Sequence, residues 1–284
     1  INMEIGLITP PVGLNLYIIK GITPDVSLSE ILKGSIDFNV QAYPDIEDLR
    51  MDPMETGRYA YESQMAGFVL KSSQYLTTPI AYILNQMYPG LSVVGSITLS
   101  ESVGGINPTV VESAAALKTK VIWIPESKEK KLTPNNSLTE SIQEILKIVR
   151  EKNMVLALDN LSYSESIVIL KEAKKNHISN IIIGFNDVIP QNNDLKDLSD
   201  LGAFIEFRFS SCMPSDRSIE IEEIIEKIGF IGSERCIVTS NFGQWFNPPP
   251  AEGIRMAISS FLQKGLTEDQ ITKLVKSNPL DLLK

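Results

Sequence analysis

Asp37, Asn39 and Gln41 alternate with Phe38 and Val40 in the run Ile36-Asp37-Phe38-Asn39-Val40-Gln41. Spacing by two puts all three polar side chains on one face of an extended strand. Further polar groups stand at or just past the ends of other β-branched runs: Lys71, Glu101, Glu126, Asp159 with Asn160, Asn186 with Asp187, Glu206 and Asn241. Asn and Gln are poor strand formers, so their repeated placement there points to a polar site. Two chemistries fit this set. The carboxylates Asp37, Glu101, Glu126, Asp159, Asp187 and Glu206 could supply an oxygen-only site for Mg²⁺ or Mn²⁺, with Lys71 as electrostatic clamp or base. Alternatively, the amides hold a neutral or zwitterionic molecule by hydrogen bonds. Asp37 and Lys71 are the catalytic candidates in this set.

What the chain lacks narrows the chemistry. It has one histidine, His177, and two cysteines, Cys212 and Cys236. A site needing two imidazoles is excluded, as are a disulfide framework and a four-thiolate zinc site. His177 lies in Lys174-Lys175-Asn176-His177, at the expected end of a helix and on the side of the fold remote from the strand ends, where it reads as a surface terminus residue. The formal net charge is −9, which argues against a nucleic-acid surface, since phosphate affinity needs clustered positive charge.

The elements that must position these groups follow a regular rhythm from Ser35 onward. Strands are expected at 36–41, 68–71, 92–99, 120–125, 155–159, 180–185, 203–209 and 235–241. Helices are expected near 54–66, 78–88, 108–117, 138–152, 163–176, 194–201, 217–228, 251–264 and 267–276. Eight strand-then-helix units over this length predict an α/β fold, a closed (β/α)₈ TIM-type barrel, with an open doubly wound sheet as runner-up. In such a barrel the strand C-termini form the mouth where chemistry sits. The aromatic, proline-rich run Trp245-Phe246-Asn247-Pro248-Pro249-Pro250 could wall that mouth or simply connect strand to helix.

Residues 1–34 read differently. Thr9-Pro10-Pro11-Val12-Gly13 cannot continue a helix, and Ser27-Leu28-Ser29-Glu30 resembles a capped start to a short helix over 28–33. The domain expectation is therefore 1–34 as a short helical or extended appendage that stays out of the barrel core, and 35–284 as the barrel. Because the chain begins with Ile1, the numbering is expected to start inside a longer reading frame. No signal peptide is read, and no run of about 18 apolar residues supplies a complete transmembrane helix.

The motif Asp37-Phe38-Asn39-Val40-Gln41-Ala42-Tyr43-Pro44-Asp45 resembles the Asp-x-His-x-His-x-x-Pro-Asp segment of amidohydrolase-type, metal-dependent hydrolases, and in particular an uncharacterised amidohydrolase-like family of DUF6282 type. The similarity continues through Gly67–Ser72, Val103–Pro108, Val121–Pro125, Asp159–Ser162 and Leu201–Glu206. It ends with Thr239–Gln244 and Asn278–Leu283. The resemblance implies histidines where this chain has Asn39, Gln41, Asn160 and Asn186, and a metal-binding aspartate where it has Asn241. Only Glu126 could serve as the bridging ligand that many such hydrolases carry after strand four. Amide oxygens are weak neutral donors, so the expectation is a site that binds Zn²⁺ poorly and generates no metal-activated water.

A second resemblance covers the start. Asn2-Met3-Glu4-Ile5-Gly6-Leu7-Ile8-Thr9-Pro10-Pro11-Val12-Gly13-Leu14-Asn15-Leu16-Tyr17 is similar to a C-terminal segment of the large permease subunit of tripartite ATP-independent periplasmic (TRAP) transporters, the DctM component. In that family the double proline implies a broken membrane helix near the substrate site.

These features support a leading expectation. The barrel is a metal-free pseudoenzyme or binding module for a small polar molecule, its pocket formed by Asn39, Gln41, Asn160, Asn186, Glu206, Asn241 and Gln244. One alternative is an active hydrolase with a single divalent ion, Mg²⁺, Mn²⁺ or Zn²⁺. Another is the tail of a transporter permease fusion. The barrel is expected in the cytoplasm, at a membrane only through a missing upstream region, and a homo-oligomer is left open.

Overall fold

The computed structural model describes residues 28–126, 132–186, 188–215 and 218–284. The transporter-like motif at 2–17 and Asp187 lie outside the described residues. Apolar runs such as Val121–Pro125, Val155–Asp159 and Ile181–Gly184 have too little polarity for a one-sided sheet and suit parallel strands buried on both faces. They are β4, β5 and β6 of an eight-stranded parallel sheet in sequential order. The others are β1 (Ile36–Gln41), β2 (Gly67–Lys71), β3 (Ser92–Thr98), β7 (Phe204–Arg208) and β8 (Cys236–Thr239). The sheet closes on itself where the Gln41 N–H donates to the Phe242 carbonyl at 2.9 Å and Val40 bridges to Phe242 in parallel. The fold is thus the (β/α)₈ barrel that the rhythm predicts.

Helices separate consecutive strands. After α1 (Leu28–Leu32) they are α2 (Pro53–Glu62), α3 (Thr78–Met87), α4 (Pro108–Ala116), α5 (Glu140–Glu151), α6 (Tyr163–Lys175), α7 (Asn192–Asp200), α8 (Ile221–Ile231), α9 (Pro250–Gln263), α10 (Glu268–Thr272) and α11 (Asn278–Leu283). Side-chain caps set several starts: Asp52 for α2, Thr139 for α5 and Ser162 for α6 each accept a backbone N–H of the first turn. Strand period divides the buried side chains in two. Ile122, Leu156, Ile183 and Val238 face the helices, while Val69, Trp123, Ala157, Ile182 and Ile237 fill the barrel interior with Phe38.

Three features differ from the expectation. Helix α11 was not expected from propensity; its Leu282 joins the interior cluster, and Asn278 Nδ2 donates to the carbonyls of Ser233 and Cys236, each at 2.7 Å. Helix α1 falls inside the segment expected to stay out of the core, yet Ile31 and Leu32 are buried in it. Strand β8 stops at Thr239 rather than 241, because Asn241 takes a left-handed backbone at φ +53°. Among the described residues, no helix is long and apolar enough to cross a membrane.

Candidate functional site

The interior positions that follow the apolar layer toward the strand C-termini are Lys71 on β2, Asp159 on β5, and Glu206 and Arg208 on β7. Period two keeps Glu206 and Arg208 on the same face as Phe204. They form one connected ion network. Lys71 Nζ donates to Asp159 Oδ2 at 2.7 Å and stands 4.2 Å over the ring of Trp123. Arg208 Nη2 donates to Asp159 Oδ1 at 2.6 Å and to Glu206 Oε2 at 2.8 Å, and its Nε reaches the same Oε2 at 3.0 Å. Arg208 Nη1 donates to Asn186 Oδ1. Glu206 Oε1 accepts from Thr239 Oγ1 at 2.8 Å and Asn39 Nδ2 at 3.0 Å. All four carboxylate oxygens are thus engaged, and the two carboxylates balance the two cations.

Burial would raise the Asp159 pKa, but the charges of Lys71 and Arg208 and their hydrogen bonds overcome it and hold the carboxyl well below the usual carboxylate range. Burial likewise opposes the charge on Arg208, and the Glu206 and Asp159 carboxylates outweigh it, so the guanidinium is held protonated more firmly than usual. Gly184 on β6 makes room for this network: a Cβ there would collide with Glu206 Oε2 and Arg208 Nη2.

The amides fall into two groups. Asn160 Oδ1 accepts from the Asn186 N–H at 3.3 Å and its Nδ2 donates to Glu126 at 3.2 Å, so Asn160 and Asn186 join the Arg208 network. Gln41 Nε2 donates to Asn241 Oδ1 at 3.2 Å, and Asn241 Nδ2 donates to Ser210 Oγ at 2.9 Å. Asn160 and Asn241 both hold left-handed backbones, at φ +59° and +53°. Asn, Asp and His are the side chains most tolerant of that region. The histidine and aspartate that the resemblance implies at these positions suit the same backbone.

Asp37 is placed apart from this network. The register of β1 against β2 shifts between Asp37 and Val40, which breaks the strict alternation assumed for Asp37, Asn39 and Gln41. The Asp37 carboxyl is sealed in the β1–β8 seam. Oδ1 accepts the N–H groups of Asn39 at 3.2 Å and Ser240 at 3.1 Å, and Oδ2 bonds the Ser240 hydroxyl. Burial pushes its pKa up to about 7, against the opposing pull of those bonds. Gln244 accepts from Asn247 Nδ2 at 2.9 Å within its own loop and pairs with Leu49. Glu101 is exposed in a short 3₁₀ turn, and His177 is exposed just past α6, as expected. Trp245 and Phe246 stack edge to face on the rim, 61% and 47% exposed. A cavity of about 640 Å³ lies on the outer helical layer, lined in part by Gln143, Tyr163, Ile167 and Lys171, and none of the candidate residues lines it.

Sequence reasoning missed Arg208 and Ser240. The available signal was Glu206-x-Arg208, two opposite charges two apart at the end of an otherwise apolar strand. Three buried polar side-chain atoms of the interior lack a partner: Asn39 Oδ1, Thr98 Oγ1 and Trp123 Nε1. Thr98 and Trp123 are register neighbours on β3 and β4.

The profile of DUF6282, described as a family of unknown function, matches residues 34–206. The profile of the DctM component of tripartite ATP-independent periplasmic transporters matches residues 1–44. No curated protein matches the chain. Among solved structures, the probable dipeptidase PvdM from Pseudomonas aeruginosa is similar at a TM-score of 0.67 and 10% identity, covering 90% of this chain and 96% of that one. An amidohydrolase from Pseudomonas aeruginosa gives 0.65 at 12% identity, covering 91% and 98%. A mutant of a phosphotriesterase-like lactonase from Deinococcus radiodurans gives 0.61 at 14% identity, covering 91% and 98%. At these identities the likeness establishes the fold alone, the (β/α)₈ barrel.

The divalent metal that the resemblance implies does not fit the residues present. Among the described residues, no three His, Cys, Asp or Glu side chains converge to hold an ion. Of the carboxylates at the mouth, Asp159 and Glu206 are already bonded to Lys71 and Arg208, and Glu126 accepts from Asn160 Nδ2. An incoming divalent cation would meet two fixed positive charges and neutral amides.

Proposed function

The chain belongs to the DUF6282 family, whose function is unknown, and from that premise we propose that its hydrolase-fold barrel is a metal-independent binding module for a small polar molecule. The observation that carries this reading is the set of unpartnered atoms in the barrel interior. Asn39 Oδ1 offers an acceptor, Trp123 Nε1 a donor and Thr98 Oγ1 either. A buried polar atom without a partner costs about 1–3 kcal/mol, a cost that a bound molecule or an ordered water supplying the missing bonds would relieve. Lys71 stands on the ring of Trp123, which places a cation beside that donor. A molecule carrying both donors and acceptors matches this lining; a purely apolar one does not. The similar structures are described as a probable dipeptidase and a lactonase, so dipeptides, lactones and their hydroxy-acid products form the first panel of compounds.

The test is thermal-shift and calorimetric screening of that panel on metal-stripped protein. One or more compounds should raise the melting temperature, and Asn39→Leu should abolish the shift. A panel without any shift, or a shift unchanged in Asn39→Leu, overturns the proposal. Elemental analysis after dialysis separates the alternative. About one equivalent of retained Mg²⁺, Mn²⁺ or Zn²⁺ would favour a metal-dependent hydrolase instead.

A further inference from the structure

We propose that Arg208 is the resident cation of the barrel mouth, a guanidinium that takes over the structural task a divalent ion would otherwise perform. The inference rests on the metal-independent reading above and deepens it. Four observations support it. First, the guanidinium is the hub of the mouth. It bonds Asp159, Glu206 and Asn186 directly, reaches Asn39 through Glu206, and reaches Asn160 through Asn186. Three of the five positions that resemble metal ligands are therefore organised around one side chain. Second, Arg208 is buried, its side chain 2% exposed, so its charge is as dependent on those partners as an ion would be. Third, the oxygens it gathers come from β5, β7 and the segment after β6, the same multi-strand convergence that a metal imposes. Fourth, the space is built for it, since Gly184 is the residue on β6 over which the Glu206–Arg208 pair lies.

The chemistry of the exchange is consistent. A planar guanidinium distributes five N–H donors over several oxygens, and neutral amide oxygens satisfy it well. The same amides are poor ligands for Zn²⁺. An amide-lined mouth and a buried arginine therefore suit one another chemically. Removal of Arg208 should then leave Asp159, Glu206 and Asn186 as an oxygen cluster suited to a hard ion such as Mn²⁺.

The test compares the full chain with Arg208→Ala and Arg208→Gln, using MnCl₂ as the probe and melting temperature and electron paramagnetic resonance of free Mn²⁺ as readouts. The parent should show no Mn²⁺-dependent shift. Both variants should melt lower than the parent, and millimolar Mn²⁺ should raise them by about 2–4 °C, the size of a gain near 1 kcal/mol for a chain of this length. Adding Asp159→Asn to either variant should abolish the recovery. If Arg208→Ala folds only when Mn²⁺ is present, the inference is also supported. It is overturned if the parent binds Mn²⁺ stoichiometrically, or if Arg208→Gln folds but does not respond to Mn²⁺, whether or not it loses stability. A failed compound screen leaves this result standing, so the two proposals can fall separately.

Discussion

Arg208 Nη2 and Lys71 Nζ grip opposite oxygens of one carboxylate, Asp159, at 2.6 and 2.7 Å. The arrangement places two positive charges on one buried anion, and only Glu206 offsets the second. Neutralising Asp159 therefore leaves a buried excess of positive charge. Asp159→Asn should destabilise the chain by about 3–5 kcal/mol, the range for breaking a buried ion pair from one side. In urea unfolding, the double variant Asp159→Asn with Lys71→Met should be more stable than Asp159→Asn alone, because it removes the stranded cation. The Asp159→Asn loss should also change little between low and high salt, since buried pairs are weakly screened. A loss below about 1 kcal/mol, the value of an exposed pair, would show that the network does not hold the mouth.

Gly184 gives a steric test of the same network. Its missing Cβ is filled by the Glu206 and Arg208 side-chain ends. Those ends belong to flexible side chains, but both are buried and their polar atoms are bonded, so neither can move without giving up a partner. Gly184→Ala should cost about 1–3 kcal/mol, as overpacking of a filled interior does. A melting temperature equal to that of the parent would mean that the network has slack.

Much of the barrel was legible because each strand is a short β-branched or apolar run followed by a helix, several of them with a side-chain cap. The placement of Lys71, Asp159 and Glu206 at or near the ends of buried strands was legible, because charged residues there stand out against apolar runs. What was not legible has local causes. Asp37, Asn39 and Gln41 read as one face, but the register shift in β1 sends the Asp37 carboxyl into the seam. Asn160 and Asn241 read purely as replaced ligands, whereas their positive φ shows that the backbone itself selects for Asn, Asp or His. Arg208 went unremarked because its meaning lies in partners 22 and 49 residues away, Asn186 and Asp159. Helix α11 is held by the tertiary contacts of Asn278 and Leu282, which propensity does not register.

Asp37 provides the pH test, and its sign follows from the direction of its shift. The folded carboxyl is raised to about 7 from an unfolded value of 3.8. The native state therefore keeps a proton that the unfolded state has already released. Its contribution to stability is fully present below about pH 4 and is lost as pH rises to about 7. Within that window stability should fall by up to about 1.4 kcal/mol per pH unit from this one group. Burial also raises Glu252, against the pull of Arg255, and its slope has the same sign. Asp159 is shifted the other way, so its contribution is lost only as pH falls below the ordinary carboxylate range, outside this window. The variant Asp37→Asn isolates the group. Its Oδ1 can still accept from Asn39 and Ser240, and its Nδ2 can donate to the Ser240 hydroxyl in place of the carboxyl proton. Urea unfolding of parent and variant at half-unit steps from pH 4.5 to 7.5 should show a falling parent and a flatter variant, with the difference growing toward pH 7. Parallel curves would mean that Asp37 is ionised in the native barrel and that the β1–β8 seam tolerates its charge.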